Sequence, residues 1–180
     1  MSNPWIKYTL FFIFLVFFQG LVVQNVNESL YFNPMVYPLL IIILPFEFGV
    51  LATMAIALVL GLSVDAFSNG FGLHASATLL IAYLRPSILR IIRPRDGYNN
   101  LLTPTIYDMG AIWFMSYASI TLAIHHFWYF AIEMFRLDHL FFLLSKTISS
   151  VLFSLILIFL IQYIFYRAPK KWSLTMIENT

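Results

Sequence analysis

Residues 45–86 read PFEFGVLATMAIALVLGLSVDAFSNGFGLHASATLLIAYLRP, which predicts two apolar helices joined by a glycine-rich turn. Asp65 lies near the middle of this stretch. Gly70 and Gly72 mark the turn, and His74 follows it. Polar side chains are costly in a lipid bilayer, so several of them on one apolar hairpin mark it as a candidate functional region. The rest of the chain consists mainly of apolar runs, which we interpret as scaffold, and of basic residues, which we interpret as anchors at the membrane surface.

The composition is that of an integral membrane protein. Of the 180 residues, 61% are hydrophobic, 10% are charged and 19 are Phe. A soluble domain carries about 25% charged residues, so this chain has too few charges to solvate a globule. The absence of cysteine excludes disulfides, thiolate nucleophiles and cysteine metal sites. The net charge of +2 is too small to indicate nucleic-acid binding.

The apolar runs predict an all-α membrane protein with about six transmembrane helices in a single bundle, one domain covering residues 1–180. About 20 apolar residues cross the hydrocarbon of a bilayer, so the run at 35–64 is too long for one span. Pro45, Glu47 and Gly49 interrupt this run and predict a turn. The predicted spans are residues 5–23, 35–46, 49–65, 72–91, 109–130 and 141–166, followed by a tail at 167–180.

The distribution of basic residues predicts the orientation. With six spans, Lys7, the arginines of 85–95 and the basic tail all fall on one side, which the positive-inside rule assigns to the cytoplasm. If 35–64 were a single span, the arginines and the tail would lie opposite Lys7. We therefore predict that both termini are cytoplasmic. The predicted membrane-surface anchors are Arg90, Arg93, Arg95, Lys170 and Lys171.

Two interpretations of the hairpin stay open. Gly61 and Asp65 are four residues apart and share a helix face, and the glycine allows another backbone to approach closely. In the first interpretation, a partner or ligand binds a corner formed by Gly61, Asp65, Gly70, Gly72 and His74. In the second, Asp65 caps a helix by accepting hydrogen bonds from backbone amides around the glycines. The two interpretations are compatible.

The histidines do not predict a metal site. His74 and Asp65 together would supply two ligands, whereas catalytic zinc takes three from the protein. His125 and His126 are adjacent, so on a helix they point in different directions. No nucleophile with its base, phosphate-binding glycine loop or cofactor motif is found, and we predict a protein without a cofactor that is not an enzyme.

Charge pairs are the remaining candidates. Arg85 and Glu47 both belong to the cytoplasmic side of the six-span arrangement, and we predict an ion pair between them that ties the two ends of the hairpin unit together. Lys146 lies near the opposite side and is expected to extend to the interface or to pair with Asp138 or Glu133.

The runs YPLLIIILPFE and GLSVDAFSNGFGLHASATLLIAYLRP resemble the bacterial rod shape-determining MreD family. That family is marked by a proline-containing LLP turn, a G-x-x-x-D pattern and a glycine-bearing turn into the next helix. Here the matching elements are Leu44-Pro45, Gly61 with Asp65, Gly70 with Gly72, and Leu73-His74-Ala75. The resemblance is specific over residues 37–90 and is only hydrophobic elsewhere.

The resemblance implies a scaffold in the bacterial inner membrane. Members of the family bind the bitopic protein MreC and belong to the elongation machinery. That machinery couples MreB filaments to the peptidoglycan synthase pair RodA and a class B penicillin-binding protein. The implied partners are therefore MreC, RodA, the penicillin-binding protein, indirectly MreB, and membrane lipids.

The family's fold is similar to the S components of energy-coupling-factor vitamin transporters, which supplies an alternative function. An S component binds a vitamin at the outer ends of its helices and docks a transport module through small-residue faces. The predicted outer loop at 24–34 offers polar side chains that could line such a pocket, but no dense polar cluster. We therefore favour the scaffold over a small-molecule carrier.

Overall fold

A computed structural model describes residues 4–23, 32–68, 70–99, 102–135 and 140–165. All regular secondary structure in these ranges is helical, which confirms the all-α prediction. The helices are α1 (Pro4–Phe17, continued by a π-helix at Phe18–Val23), α2 (Leu39–Ile43), α3 (Val50–Ser68), α4 (Leu73–Ile91), α5 (Ile106–Met109), α6 (Ala111–Met134) and α7 (Leu140–Phe165). The predicted tail at 167–180 lies outside the described residues.

Three helices are long and apolar enough to cross a membrane: Trp5–Val23, Val50–Ser68 and Leu140–Phe165. Helices α4 and α6 reach similar lengths, 19 and 24 residues, but are less apolar. The bundle is built by α4 packing between α3 and α6, with α6 against α7 and α1 against α2 and α3. Within the described ranges, these contacts enclose one core that centres on α2.

Aromatic contacts show which helix ends meet. The ring pairs are Trp5 with Phe48, Phe46 with Trp113, and Phe11 with Phe165, with centroids 5.8, 6.1 and 6.0 Å apart. The indole nitrogen of Trp113 also donates to the carbonyl of Ile92, just beyond α4. The starts of α1, α3 and α6 and the ends of α4 and α7 therefore meet. We call this the basic end, because Lys7 and Arg90 belong to it.

The second predicted span, residues 35–46, does not form a spanning helix. Residues 32–36 are not helical, and α2 has only five residues, about 7.5 Å of helix against about 30 Å of hydrocarbon. Every residue from Met35 to Leu44 is buried. We call residues 32–44 the core segment. The apolar run that predicted a span is apolar because other helices surround it.

Prolines explain why α2 is so short. Pro38 precedes the helix, and Pro45 follows it. A proline disfavours helical geometry in the residue before it, and Leu44 accordingly has φ −55° and ψ 142°, outside the helical region. The run from Leu39 to Leu44 therefore makes one helical turn and little more. The turn predicted around Pro45 is present.

Gly61 explains why α3 and α4 pack so closely. A Cβ atom at this position would overlap the backbone of Ala75 on α4 and lie 2.5 Å from the hydroxyl oxygen of Thr78. The close backbone approach expected for Gly61 is therefore present, and the approaching helix belongs to this chain.

We predict that Gly61→Ala lowers the stability of the protein. The added methyl group has no room, and overpacking of this kind costs about 1–3 kcal/mol. Thermal unfolding of the purified protein in detergent would measure the loss. Gly49→Ala is the matched control, because a Cβ there meets no atom within 4 Å. Equal unfolding temperatures for the two variants would contradict the close packing of α3 on α4.

Candidate functional site

Asp65 caps the start of α4 from the end of α3. Its carboxylate accepts hydrogen bonds from the backbone amides of His74 and Ala75, at 3.1 and 3.0 Å. These amides have no partner within the helix, and the residue before α4, Gly72, has no side chain to cap them. A negative charge at a helix N-terminus is also favoured by the helix dipole. The capping role expected for Asp65 is therefore present.

The turn between α3 and α4 leaves space for this cap. A Cβ at Gly70 would lie 2.5 Å from the Asp65 carboxylate and 3.4 Å from the His74 ring. Gly72 has φ +89°, a left-handed conformation that glycine adopts without strain. Between them, Phe71 has φ +45° and is fully exposed. The two glycines are half-buried.

The corner proposed for a partner needs a correction. Gly61, Asp65 and His74 are all buried, and Gly61 packs against α4 of the same chain. Their burial leaves little surface of these three residues for a partner to contact. The apolar hairpin contains these residues because they stabilise the packing of its own two helices.

Gln19 pairs with the backbone of the core segment. Its side-chain amide donates to the carbonyl of Pro34 at 3.3 Å and accepts from the amide of Val36 at 2.8 Å. A neighbouring β-strand makes the same pair of bonds to residues on either side of a position. Gln19 lies in the π-helical continuation of α1 and is completely buried. The Gln19 side chain therefore makes the two hydrogen bonds that a neighbouring strand would make.

Two serines of α7 bind two further amides of the core segment. Ser150 accepts from the amide of Asn33 and Ser154 from the amide of Met35, both at 2.8 Å. The Ser154 oxygen also lies 3.1 Å from Nε2 of His126, whose Nδ1 lies 2.8 Å from the carbonyl of Leu122. Since a carbonyl only accepts, Nδ1 carries the proton and Nε2 accepts from Ser154. Each polar group in this series of hydrogen bonds, including the Ser154 hydroxyl and both ring nitrogens of His126, therefore has a partner.

Tyr37 joins the core segment to two helices at once. Its hydroxyl oxygen lies 2.9 Å from Nδ1 of His74 on α4 and 2.8 Å from Nε2 of His125 on α6. All three side chains are at most 2% exposed. A hydroxyl has one proton, so Tyr37 donates to one neutral imidazole and accepts from the other. The three rings form one hydrogen-bonded unit, which we call the His–Tyr–His triad.

A few buried polar atoms in the described ranges have no hydrogen-bond partner. They are Nδ1 of His125 and both amide atoms of Gln162. His125 and His126 have different partners, as expected from their adjacency. Among the described residues, no group of three or more His, Asp or Glu side chains could hold a metal ion.

The predicted ion pair between Glu47 and Arg85 is not formed. The Arg85 guanidinium donates to the carbonyl oxygens of Leu44 and Pro45 and, at 3.2 Å, to the hydroxyl of Tyr117. Glu47 is exposed at the surface. Proline lacks an amide hydrogen and cannot continue the helix, so the carbonyls at the end of α2 have no helical partners. The buried cation supplies donors to these carbonyls.

The predicted membrane anchors that the structure describes lie at the surface. Arg90, Arg93 and Arg95 are exposed at or just beyond the end of α4, where membrane anchors were predicted. Lys170 and Lys171 lie outside the described residues. Lys146 pairs with Glu133 at 3.0 Å, one of the two acids predicted for it.

Taken together, the buried polar groups hold the core segment, whose first residues are not helical, inside an apolar bundle. Gln19, Ser150 and Ser154 had not been predicted as site residues, nor had Tyr37. One signal was available for Gln19 and Ser154, because each is a polar residue with apolar residues on both sides. Tyr37 gave no signal, because its partners lie 37 and 88 residues away in the sequence.

Comparisons of the chain with models of protein families, with curated proteins and with solved structures found no match.

We predict that Tyr37→Phe destabilises the fold. The substitution removes both hydrogen bonds of the triad and leaves buried nitrogen atoms of His74 and His125 unpaired, which costs about 1–3 kcal/mol for each unsatisfied group. Thermal unfolding in detergent measures the effect. Tyr83→Phe removes the same hydroxyl group from a side chain that is 62% exposed, and we expect a change within about 0.5 kcal/mol. Similar losses in both variants would contradict the role of the triad.

Proposed function

We propose that this protein is a non-enzymatic scaffold of the bacterial cell-elongation machinery, similar to the rod shape-determining MreD proteins. In this role it binds MreC in the cytoplasmic membrane. Through that complex it helps regulate peptidoglycan synthesis by RodA and a class B penicillin-binding protein, with MreB filaments connected indirectly.

The main support for the proposal is that residues of the MreD-like pattern have structural roles within one packed unit, formed by α3, α4 and the end of the core segment. Gly61 admits the backbone of α4, and Asp65 caps that helix. Arg85, at the end of the pattern, binds the carbonyls of Leu44 and Pro45. A pattern in which each residue has a structural purpose supports a shared fold better than hydrophobic similarity alone does.

We further propose a multi-pass protein of the bacterial inner membrane with both termini in the cytoplasm. Lys7, Arg90, Arg93 and Arg95 belong to the basic end of the bundle. Lys146, toward the other end, is paired with Glu133. This asymmetry favours a cytoplasmic basic end by the positive-inside rule.

The turn between α3 and α4 is the best candidate for the contact with MreC. Phe71 is fully exposed there and is held at φ +45°. A residue other than glycine in this conformation costs about 1–3 kcal/mol, and such strain clusters at functional sites. Because Gly61, Asp65 and His74 are buried beneath this turn, we choose Phe71, the most exposed side chain of the turn among the described residues, as the contact for a partner.

The test is a pull-down of the tagged full-length protein from its native host, followed by mass spectrometry. We expect recovery of MreC, RodA and a class B penicillin-binding protein. Phe71→Ala is expected to lower the recovery of MreC without lowering the unfolding temperature, because alanine keeps the same backbone conformation and removes only the ring. Phe135→Ala is the matched control, since Phe135 is 91% exposed at φ +44°.

Two results would count against these proposals. Recovery of a pair of ABC-type ATPases with a coupling protein, in place of MreC, would identify an S-component-like carrier and overturn the scaffold. Recovery of MreC that falls equally in the Phe71 and Phe135 variants would keep the scaffold but remove the contact from the α3–α4 turn.

A further inference from the structure

A narrow groove runs between α1 and the end of α7 at the basic end. Its lining residues are Lys7, Leu10, Phe11, Phe14 and Phe165, and its volume is about 310 Å³. Ligand sites in proteins have volumes of about 300–1,000 Å³. Four of the five lining side chains are hydrocarbon, and Lys7 contributes the only charge. The groove therefore combines an apolar wall with one cation.

With the candidate span Trp5–Val23 placed across a bilayer, the groove extends from the headgroup level into the hydrocarbon. Helix α1 belongs to the candidate span Trp5–Val23, and Lys7 lies only two residues after the start of that span. Phe14 is seven residues further, about 10 Å deeper at 1.5 Å per residue. Leu10, between them, is 62% exposed, so the groove is open to the surroundings of the bundle. The cation thus lies at the shallow end and the aromatic rings at the deep end.

The groove is too narrow for a helix to lie wholly inside it. A volume of about 310 Å³ over about 10 Å of length leaves a cross-section of about 30 Å². An α-helix with its side chains is about 10–12 Å wide and needs more than twice that area. A single hydrocarbon chain is narrow enough to enter.

We propose that this groove binds one acyl chain of an anionic phospholipid, with the lipid phosphate against the ammonium group of Lys7. The charge of the lysine complements the phosphate, and its stem and the phenylalanine rings complement the chain. Asp108 also interacts electrostatically with Lys7. Its carboxylate accepts from the amide and hydroxyl of Thr103, at 2.9 and 2.6 Å. The binding site does not depend on the proposed scaffold function.

The test is native mass spectrometry of the full-length protein, released from detergent after incubation with palmitoyl-oleoyl phosphatidylglycerol or with phosphatidylcholine of the same chains. We expect preferential binding of phosphatidylglycerol. Lys7→Gln should weaken this binding about fivefold, the factor that corresponds to about 1 kcal/mol per basic residue near an anionic surface. Binding of phosphatidylcholine should not change. Inorganic phosphate alone should not compete, because it lacks the chain.

Arg90→Gln is the matched control for charge, because Arg90 is an exposed cation of the basic end that does not line the groove. We expect it to bind phosphatidylglycerol as the unmodified protein does. Leu10→Trp fills the groove and should reduce the binding of both lipids. Leu51→Trp, at a position on α3 that is 83% exposed and outside the groove, is its steric control and should have no effect.

Three outcomes would overturn the proposal. Equal weakening by Lys7→Gln and Arg90→Gln would mean that the lipid responds to the overall charge of the surface. Unchanged binding in Leu10→Trp would mean that no chain occupies the groove. A mass corresponding to two protein chains, lost in Leu10→Trp while lipid binding persists, would assign the groove to a second copy of this chain.

Discussion

The structure depends on satisfying backbone groups that an apolar bundle cannot otherwise pair. The start of the core segment is not helical, so its amides have no partners within the segment, and an unsatisfied amide in lipid costs several kcal/mol. Gln19 binds the backbone at Pro34 and Val36, and serines of α7 bind two further amides. The helices around the core segment are thus held to it by directional bonds as well as by apolar packing.

The other polar features extend this arrangement. The His–Tyr–His triad ties the core segment to α4 and α6, and Arg85 binds the carbonyls at its far end. Asp65 fixes the start of α4 and so the position of His74. Most of the polar chemistry in the described ranges is therefore directed inward. The two recognition sites that we propose lie on exposed surfaces, at the α3–α4 turn for a protein partner and in the groove beside Lys7 for a lipid.

Long apolar runs and local spacing could be predicted from the sequence. The runs at 5–23 and 49–65 correspond to helices of spanning length, and the cap by Asp65 was one of the two interpretations that the sequence left open. The prediction of a transmembrane span at residues 35–46 was wrong, because a segment buried inside a protein is as apolar as a segment that crosses a membrane. The predicted ion pair of Arg85 with Glu47 was wrong, since the Arg85 guanidinium binds the carbonyl groups of Leu44 and Pro45, and a backbone acceptor is not marked by any residue type in the sequence. The triad joins residues too far apart in sequence to be predicted.

Hydrogen–deuterium exchange of the amides of Met35 and Val36 tests the central claim most directly. If Ser154 and Gln19 bind these amides, both should exchange as slowly as the buried helical amide of Ala57, although residues 32–36 are not helical. Ser154→Ala should accelerate exchange at Met35 and leave Ala57 unchanged. Exchange at Met35 and Val36 as fast as at the exposed loop residues 95–96 would contradict a core held together by side-chain bonds to its backbone.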